Sequence, residues 1–107
     1  KFRPDTTFAT DDVRQNFLTP KRLEEVIPRV DEVKSIIGGT ARALAEGALR
    51  FVLANDAVST TIPGMRNVRQ VEMNVAADEV RIPQDVVDKL RARLGDYNFY
   101  QRHGIKI

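Results

Sequence analysis

The chain has 107 residues, enough for one small domain and too few for two. Its net charge is +2, with 17 bases and 15 acids interspersed, which argues against a dedicated nucleic-acid binder that would gather its bases on one face. No cysteine is present, so disulfides and thiolate metal sites are excluded and a reducing, cytoplasmic setting is expected; nor is any apolar run long enough to span a membrane.

Residues 1–18 carry no sustained period and read as a surface loop or arm, punctuated by Pro4, Thr6-Thr7 and Asp11-Asp12. Phe2, Phe8 and Phe17 are too apolar for a wholly solvated arm, so some of them are expected against a neighbour. The chain opens on Lys1-Phe2 without a methionine, as though cut from something longer.

Thr19-Pro20 is a helix start, an N-cap followed by proline at the first helical position. Leu23, Val26 and Ile27, Val30, Val33 and Ile37 then make one apolar face. Pro28 interrupts it at a cost of about 3 kcal/mol and predicts a kink or break without loss of the helix. Gly38-Gly39 is the stop, and Thr40 is expected to cap the next helix, over 41–54. There Leu44, Ala45, Ala48, Leu49 and Val52 form the predicted buried stripe, and Glu46 and Arg50 an i,i+4 pair. Gly47 costs up to ~1 kcal/mol against alanine in mid-helix, which predicts a close-packed neighbour.

Val58 to Ile62 is a β-branched run and reads as a short buried strand, ended by Pro63-Gly64. Asn67 is placed to cap a helix over 67–77, with Gln70 three residues on completing a capping-box pattern. Strand, turn and helix start together make a geometry that holds an anion, because free N–H groups and the positive end of the helix dipole point out of the turn. Arg66 adds a planar guanidinium suited to bidentate grip of a phosphate. Val68, Val71 and Val75 give that helix a narrow apolar face.

Residues 80–82 form an extended link, with Ile82 at the expected cap of the last helix. Pro83 opens that helix, Val86, Val87, Leu90 and Leu94 line its inner face, and Gly95 stops it. Asp85 complements the dipole of its first turn. In the tail, 95–107, Tyr97, Phe99 and Tyr100 lie near Arg102 and His103. They suit stacking on a base, lining a pocket, or a plain clasp against a helix. His103 is the only histidine, so no histidine cluster for a metal exists; there is also no nucleophile elbow, P-loop lysine motif or zinc spacing. The acidic pairs at 11–12, 24–25 and 78–79 read as solvated.

Ile62-Pro-Gly-Met-Arg-Asn67, followed by Gln70 and Asn74 four residues apart, resembles the last strand–helix corner of the aldo-keto reductases. Ala48-Leu-Arg-Phe-Val-Leu53 is similar to the Ala-Leu-Arg-Trp-Val-Leu that precedes the final strand in that family, with Phe51 in place of the tryptophan. Lys1-Phe2 resembles the end of a Leu-Thr-Gly-Lys-Tyr/Phe motif after the seventh strand, and Ile82 stands where a Leu-Ser-Pro-Glu-Glu-Leu motif has its serine cap. The resemblance runs from residue 1 to about 94 and covers only the end of the family's domain. Members are (β/α)8 barrels that reduce carbonyls with NADPH or NADH, and such a barrel needs roughly 250 residues.

The resemblance therefore implies an α/β parent and a C-terminal piece of a (β/α)8 TIM barrel. As an isolated chain it should be mainly helical, with about four helices and one short strand: arm 1–18, helices 19–94 with strand 58–62, tail 95–107. It implies NADP(H) as cofactor, with Arg66 on the adenosine 2′-phosphate, Gly64 and Met65 contributing backbone, and Asn67, Gln70 and Asn74 toward the phosphate and adenine. Independently, 67, 70 and 74 share one helical face; the plainer alternative is a set of polar residues that cap a solvated helix. Most relatives have Glu-Asn where this chain has Met73-Asn74, and Glu72 is rotated by about 100° from the glutamate position, which leaves the adenine amino group without that acceptor.

The family's catalytic aspartate, tyrosine, lysine and histidine lie on earlier strands, so no catalytic residue and no metal is assigned here. The expected function is the cofactor-binding part of an NADPH-dependent reductase of small aldehydes and ketones. The alternative is a regulatory or partner-docking member, such as the potassium-channel β subunits. Neither nucleic acid nor membrane is an expected partner, and the isolated chain is expected to self-associate because a lone strand has bare edges.

Overall fold

The computed structural model describes residues 2–95, 97, 98 and 104. Five α-helices occur among them: α1 (Arg14–Phe17), α2 (Pro20–Ile37), α3 (Leu44–Leu53), α4 (Val68–Glu79) and α5 (Gln84–Leu94), with a 3-10 turn at Gly38–Thr40 between α2 and α3. Two compact units are present, Lys1–Ser35 with Asp96–Ile107, and Ile36–Gly95.

In the first unit the arm is locally organised. The Phe2 and Phe8 rings meet edge to face at 5.6 Å, and the Arg14 guanidinium lies 5.0 Å from the centre of the Phe8 ring. The single turn α1 was not expected in the arm. It follows Asp12, whose carboxylate accepts the backbone N–H of Arg14 at 2.9 Å. α2 starts at Pro20 as the Thr19-Pro20 signal predicts, and it runs through Pro28 unbroken. Arg29 donates from Nη1 to the Glu25 carbonyl at 2.8 Å beside that proline. Leu23 is fully buried, and Tyr97 receives the Arg29 guanidinium 4.5 Å above its ring. Phe99, Tyr100, Arg102 and His103 lie outside the described residues.

In the second unit α2 ends at Gly38, whose φ of +52° is the left-handed stop a glycine allows. Thr40 does not cap a helix. It is the last residue of the 3-10 turn, with its hydroxyl donating back to the Ile37 carbonyl at 2.6 Å. α3 starts four residues later, with Ala43 at the cap position and no side-chain cap. α3 packs against α4. Ile37, Ala76, Ala77, Ile82, Val86, Val87 and Leu90 are the buried apolar residues of this unit. Pro83, not Ile82, occupies the N-cap of α5, so the proline precedes the first helical residue, Gln84, and Ile82 is free to be buried.

Two further expectations fail. No strand forms among the described residues. Val58 to Ile62 joins no ladder, and Ile62 is 96% exposed, because no second strand among the described residues pairs with it to make a sheet. The predicted buried stripe of α3 is also turned around: Glu46, Gly47 and Arg50 are buried, while Ala45, Ala48 and Val52 are exposed. Gly47 is where close packing was predicted, since an added Cβ would come 2.8 Å from Cδ1 of Ile37. A β-branched run and an amphipathic stripe register a demand for apolar cover, and here the described residues do not supply it.

Candidate cofactor corner at the start of the fourth helix

α3 is followed by a side-chain-stabilised turn, in which Asn55 Oδ1 accepts the Ala57 N–H at 3.1 Å. Residues 58–66 then run irregularly to Asn67, the N-cap of α4, whose extended backbone (φ −158°, ψ 164°) lets the helix start sharply. Asn67 Oδ1 accepts the Gln70 N–H at 3.0 Å, as the capping pattern predicts. Gln70 Oε1 completes the reciprocal half one residue further out, accepting the Arg66 N–H at 2.6 Å. Asn74, one turn on, donates from Nδ2 to the Gly64 carbonyl at 3.4 Å.

Gly64, Met65, Arg66, Asn67, Gln70 and Asn74 are thus brought together at one end of α4. Gly64 has no positive φ, and a Cβ there would meet nothing within 4 Å, so the turn does not depend on glycine. Arg66 is exposed, and its guanidinium has no ion-pair partner among the described residues. Arg69, which the sequence pattern did not single out, adds a second exposed cation in the first turn of α4. That turn contains no acidic residue. The positive end of the dipole and the amides of Val68 and Arg69, which helix geometry leaves without intrahelical acceptors, are therefore not countered by a local carboxylate. A hollow of about 300 Å³ adjoins the corner, bordered by Thr60, Thr61, Pro63, Met65, Asn74 and Val75.

The other end of α4 is held by a different device. Arg50 Nη2 donates to the Ala76 carbonyl at 3.3 Å, and Nη1 donates to the Thr40 carbonyl. This satisfies a last-turn carbonyl of α4 and sets a cation at the negative end of its dipole. Glu46 Oε1 lies 2.6 Å from Nη2, and Glu46 Oε2 accepts from the backbone N–H and Nε of Arg42 at 3.3 and 3.2 Å. The sequence showed the pair but not its burial. Among the described residues no group of three or more histidine, aspartate or glutamate side chains is placed to hold a metal, and no helix is long and apolar enough to cross a membrane.

The start of α4 thus presents two exposed cations, Arg66 and Arg69, with no acidic residue in the first turn, which makes it a candidate anion-binding corner. The chain belongs to the aldo/keto reductase family, whose model matches residues 3–94. Membership implies oxidoreductase-type chemistry. No match was found among curated proteins or among solved structures.

Proposed function

We propose that the chain is the C-terminal, cofactor-holding part of an NADPH-dependent aldo-keto reductase acting on small aldehydes or ketones in the cytoplasm. The observation that carries this is the start of α4, where Arg66 has no ion-pair partner among the described residues and the first turn holds no acid. The donor set fits a phosphate monoester: one planar guanidinium, a second cation at Arg69 and outward-pointing amides. Arg66 would hold the adenosine 2′-phosphate, with Met65 and Gly64 forming the backbone rim and Asn67, Gln70 and Asn74 the polar flank. NADPH, when bound, supplies the hydride that reduces the carbonyl. These residues bind and orient the adenosine end, and the isolated chain is not expected to turn over a carbonyl.

The outward apolar faces support a (β/α)8 parent. Ala45, Ala48 and Val52 on α3, and Val68, Val71 and Val75 on α4, are exposed, as helices of a barrel's outer layer would be without the sheet they cover. In isolation, the chain is expected to self-associate through these faces. The cofactor assignment is tested by titrating adenosine 2′,5′-bisphosphate and 5′-AMP into the chain by NMR. The 2′-phosphorylated nucleotide is expected to bind more tightly, and Arg66→Ala to remove that preference while changing 5′-AMP little. An equal loss for both nucleotides would contradict a 2′-phosphate role for Arg66.

A further inference from the structure

We propose that Val58 to Ile62 docks on the same segment of a second copy of this chain, as a short antiparallel ladder with its two-fold axis at Thr60. This rests on the reading above that the isolated chain self-associates, and it names a segment through which it does so. No backbone N–H or C=O of residues 59–62 has a hydrogen-bond partner among the described residues, and Ser59, Thr60 and Ile62 are exposed. A β-branched run with a bare backbone is a template for another strand. One of its edges is closed at the start, because the Val58 N–H donates to the Asn55 carbonyl at 2.8 Å. In an extended chain the amides of Val58, Thr60 and Ile62 share that edge, so Ser59 and Thr61 supply the open one. Pro63 comes next on the open edge and, without an N–H, ends the ladder. The flanking charges select the occupant and its direction. The segment itself carries no charge, Asp56 precedes it, Arg66 follows it, and both are exposed. Antiparallel self-pairing turns Asp56 of one copy toward Arg66 of the other, whereas parallel pairing would set like charges together. In the register centred on Thr60, Ser59 and Thr61 of each copy exchange ladder hydrogen bonds with Thr61 and Ser59 of the other. Val58 then faces Ile62, and Thr60 faces itself, in the closer, non-hydrogen-bonded pairs. Five residues a side, against the roughly 20–30 of a stable interface, make this a weak contact that forms as concentration rises.

The test uses single-cysteine variants, each unambiguous because the sequence has no cysteine of its own. In a glutathione redox buffer, Thr60→Cys should form a covalent dimer about tenfold faster than Ser59→Cys or Ile62→Cys. Only position 60 meets its own counterpart, at a Cα separation of about 4.5 Å that a disulfide spans. The Ser59 and Thr61 amides of the unmodified chain should exchange about tenfold more slowly at high concentration than at low, with Thr60 and Ile62 unchanged. Thr61→Pro removes a donor from the open edge of each copy and should weaken association about thirtyfold, the effect of two lost hydrogen bonds. Thr60→Pro, whose missing donor lies on the other edge, should associate much as the unmodified chain does. Cross-linking no faster at position 60 than at 59 or 62 overturns the register. Association that survives Thr61→Pro, with the Ser59 and Thr61 amides unprotected, overturns the ladder and leaves the helix faces as the interface. A chain that stays monomeric at every concentration overturns the ladder and the self-association reading together. The preference for a 2′-phosphate is measured separately, by the nucleotide titration, and none of these outcomes alters it.

Discussion

Glu46 and Arg50 stand one turn apart on α3 with Oε1 2.6 Å from Nη2, and the two residues are 0% and 8% exposed. The approach is an ion contact and not an aligned hydrogen bond, since Oε1 has no partner of that geometry. The pair still joins three segments, because Arg50 also donates to the carbonyls of Thr40 and Ala76 while Glu46 accepts from Arg42. Burying both charges carries a desolvation penalty that mutual attraction and these carbonyls offset only while both partners remain.

Removing one partner should therefore be worse than removing both. Glu46→Ala is expected to lower the unfolding free energy by about 3 kcal/mol, read from urea denaturation. Glu46→Leu combined with Arg50→Met should recover most of that loss. A Glu46→Ala cost below about 1 kcal/mol, the range of a solvated pair, would show that the pair is not buried in solution.

Gly47 sits on the same inward face. A methyl group there gains up to ~1 kcal/mol of helix propensity but meets Ile37 Cδ1 at 2.8 Å and Cγ2 at 3.1 Å. Crowding of this kind costs about 1–3 kcal/mol, so Gly47→Ala is expected to destabilise by about 1 kcal/mol net. Ile37→Val deletes the nearer atom, and the double variant should be more stable than the sum of the single effects predicts. Simple additivity by thermal denaturation would place the cost elsewhere.

What was legible in the sequence follows from what is local. The Pro20 start, the Gly38 stop, the Asn67 cap with Gln70 and the buried residues of α5 all depend on side chains within a turn of one another. The candidate corner was legible for that reason, although the outward reach of Gln70 to Arg66 was not, since a capping box pairs with the cap residue itself. Val58 to Ile62 was misread because a strand exists only with a partner, which no local pattern supplies. The α3 stripe was misread because periodicity marks the face that seeks cover, and Ile37 with the Ala76 carbonyl draws the opposite face inward. Glu46 and Arg50 looked like a surface pair because i,i+4 spacing is the same on either face.

The uncovered faces have a consequence in solution. Val68, Val75 and Ile62 are 72%, 59% and 96% exposed, and large apolar side chains left uncovered in this way favour association. Sedimentation velocity is expected to show concentration-dependent oligomers, which Val71→Lys with Val75→Lys should shift toward monomer. A parent chain that stays monomeric at every concentration would count against association through α4.

The arm supplies a pH dependence. The Asp12 carboxylate accepts from Arg14 Nε at 2.9 and 3.0 Å and from the Arg14 backbone N–H at 2.9 Å. The Arg14 side chain, then its backbone N–H, holds the Asp12 carboxyl down from the usual 3.8 to about 2. Because the folded pKa lies below the unfolded one, the unfolded chain binds more protons between those two values, and stability rises with pH across that window. The contribution is fully present above the unfolded pKa of 3.8 and is lost as the pH falls through about 2. NMR titration of the Asp12 carboxyl carbon should give a midpoint near 2, and Arg14→Gln should return it toward 3.8. Since the carboxylate is at the surface, added salt should also raise the midpoint by screening Arg14. A parent midpoint already near 3.8 would mean that the Asp12–Arg14 contact, and with it the start of α1, does not persist in solution.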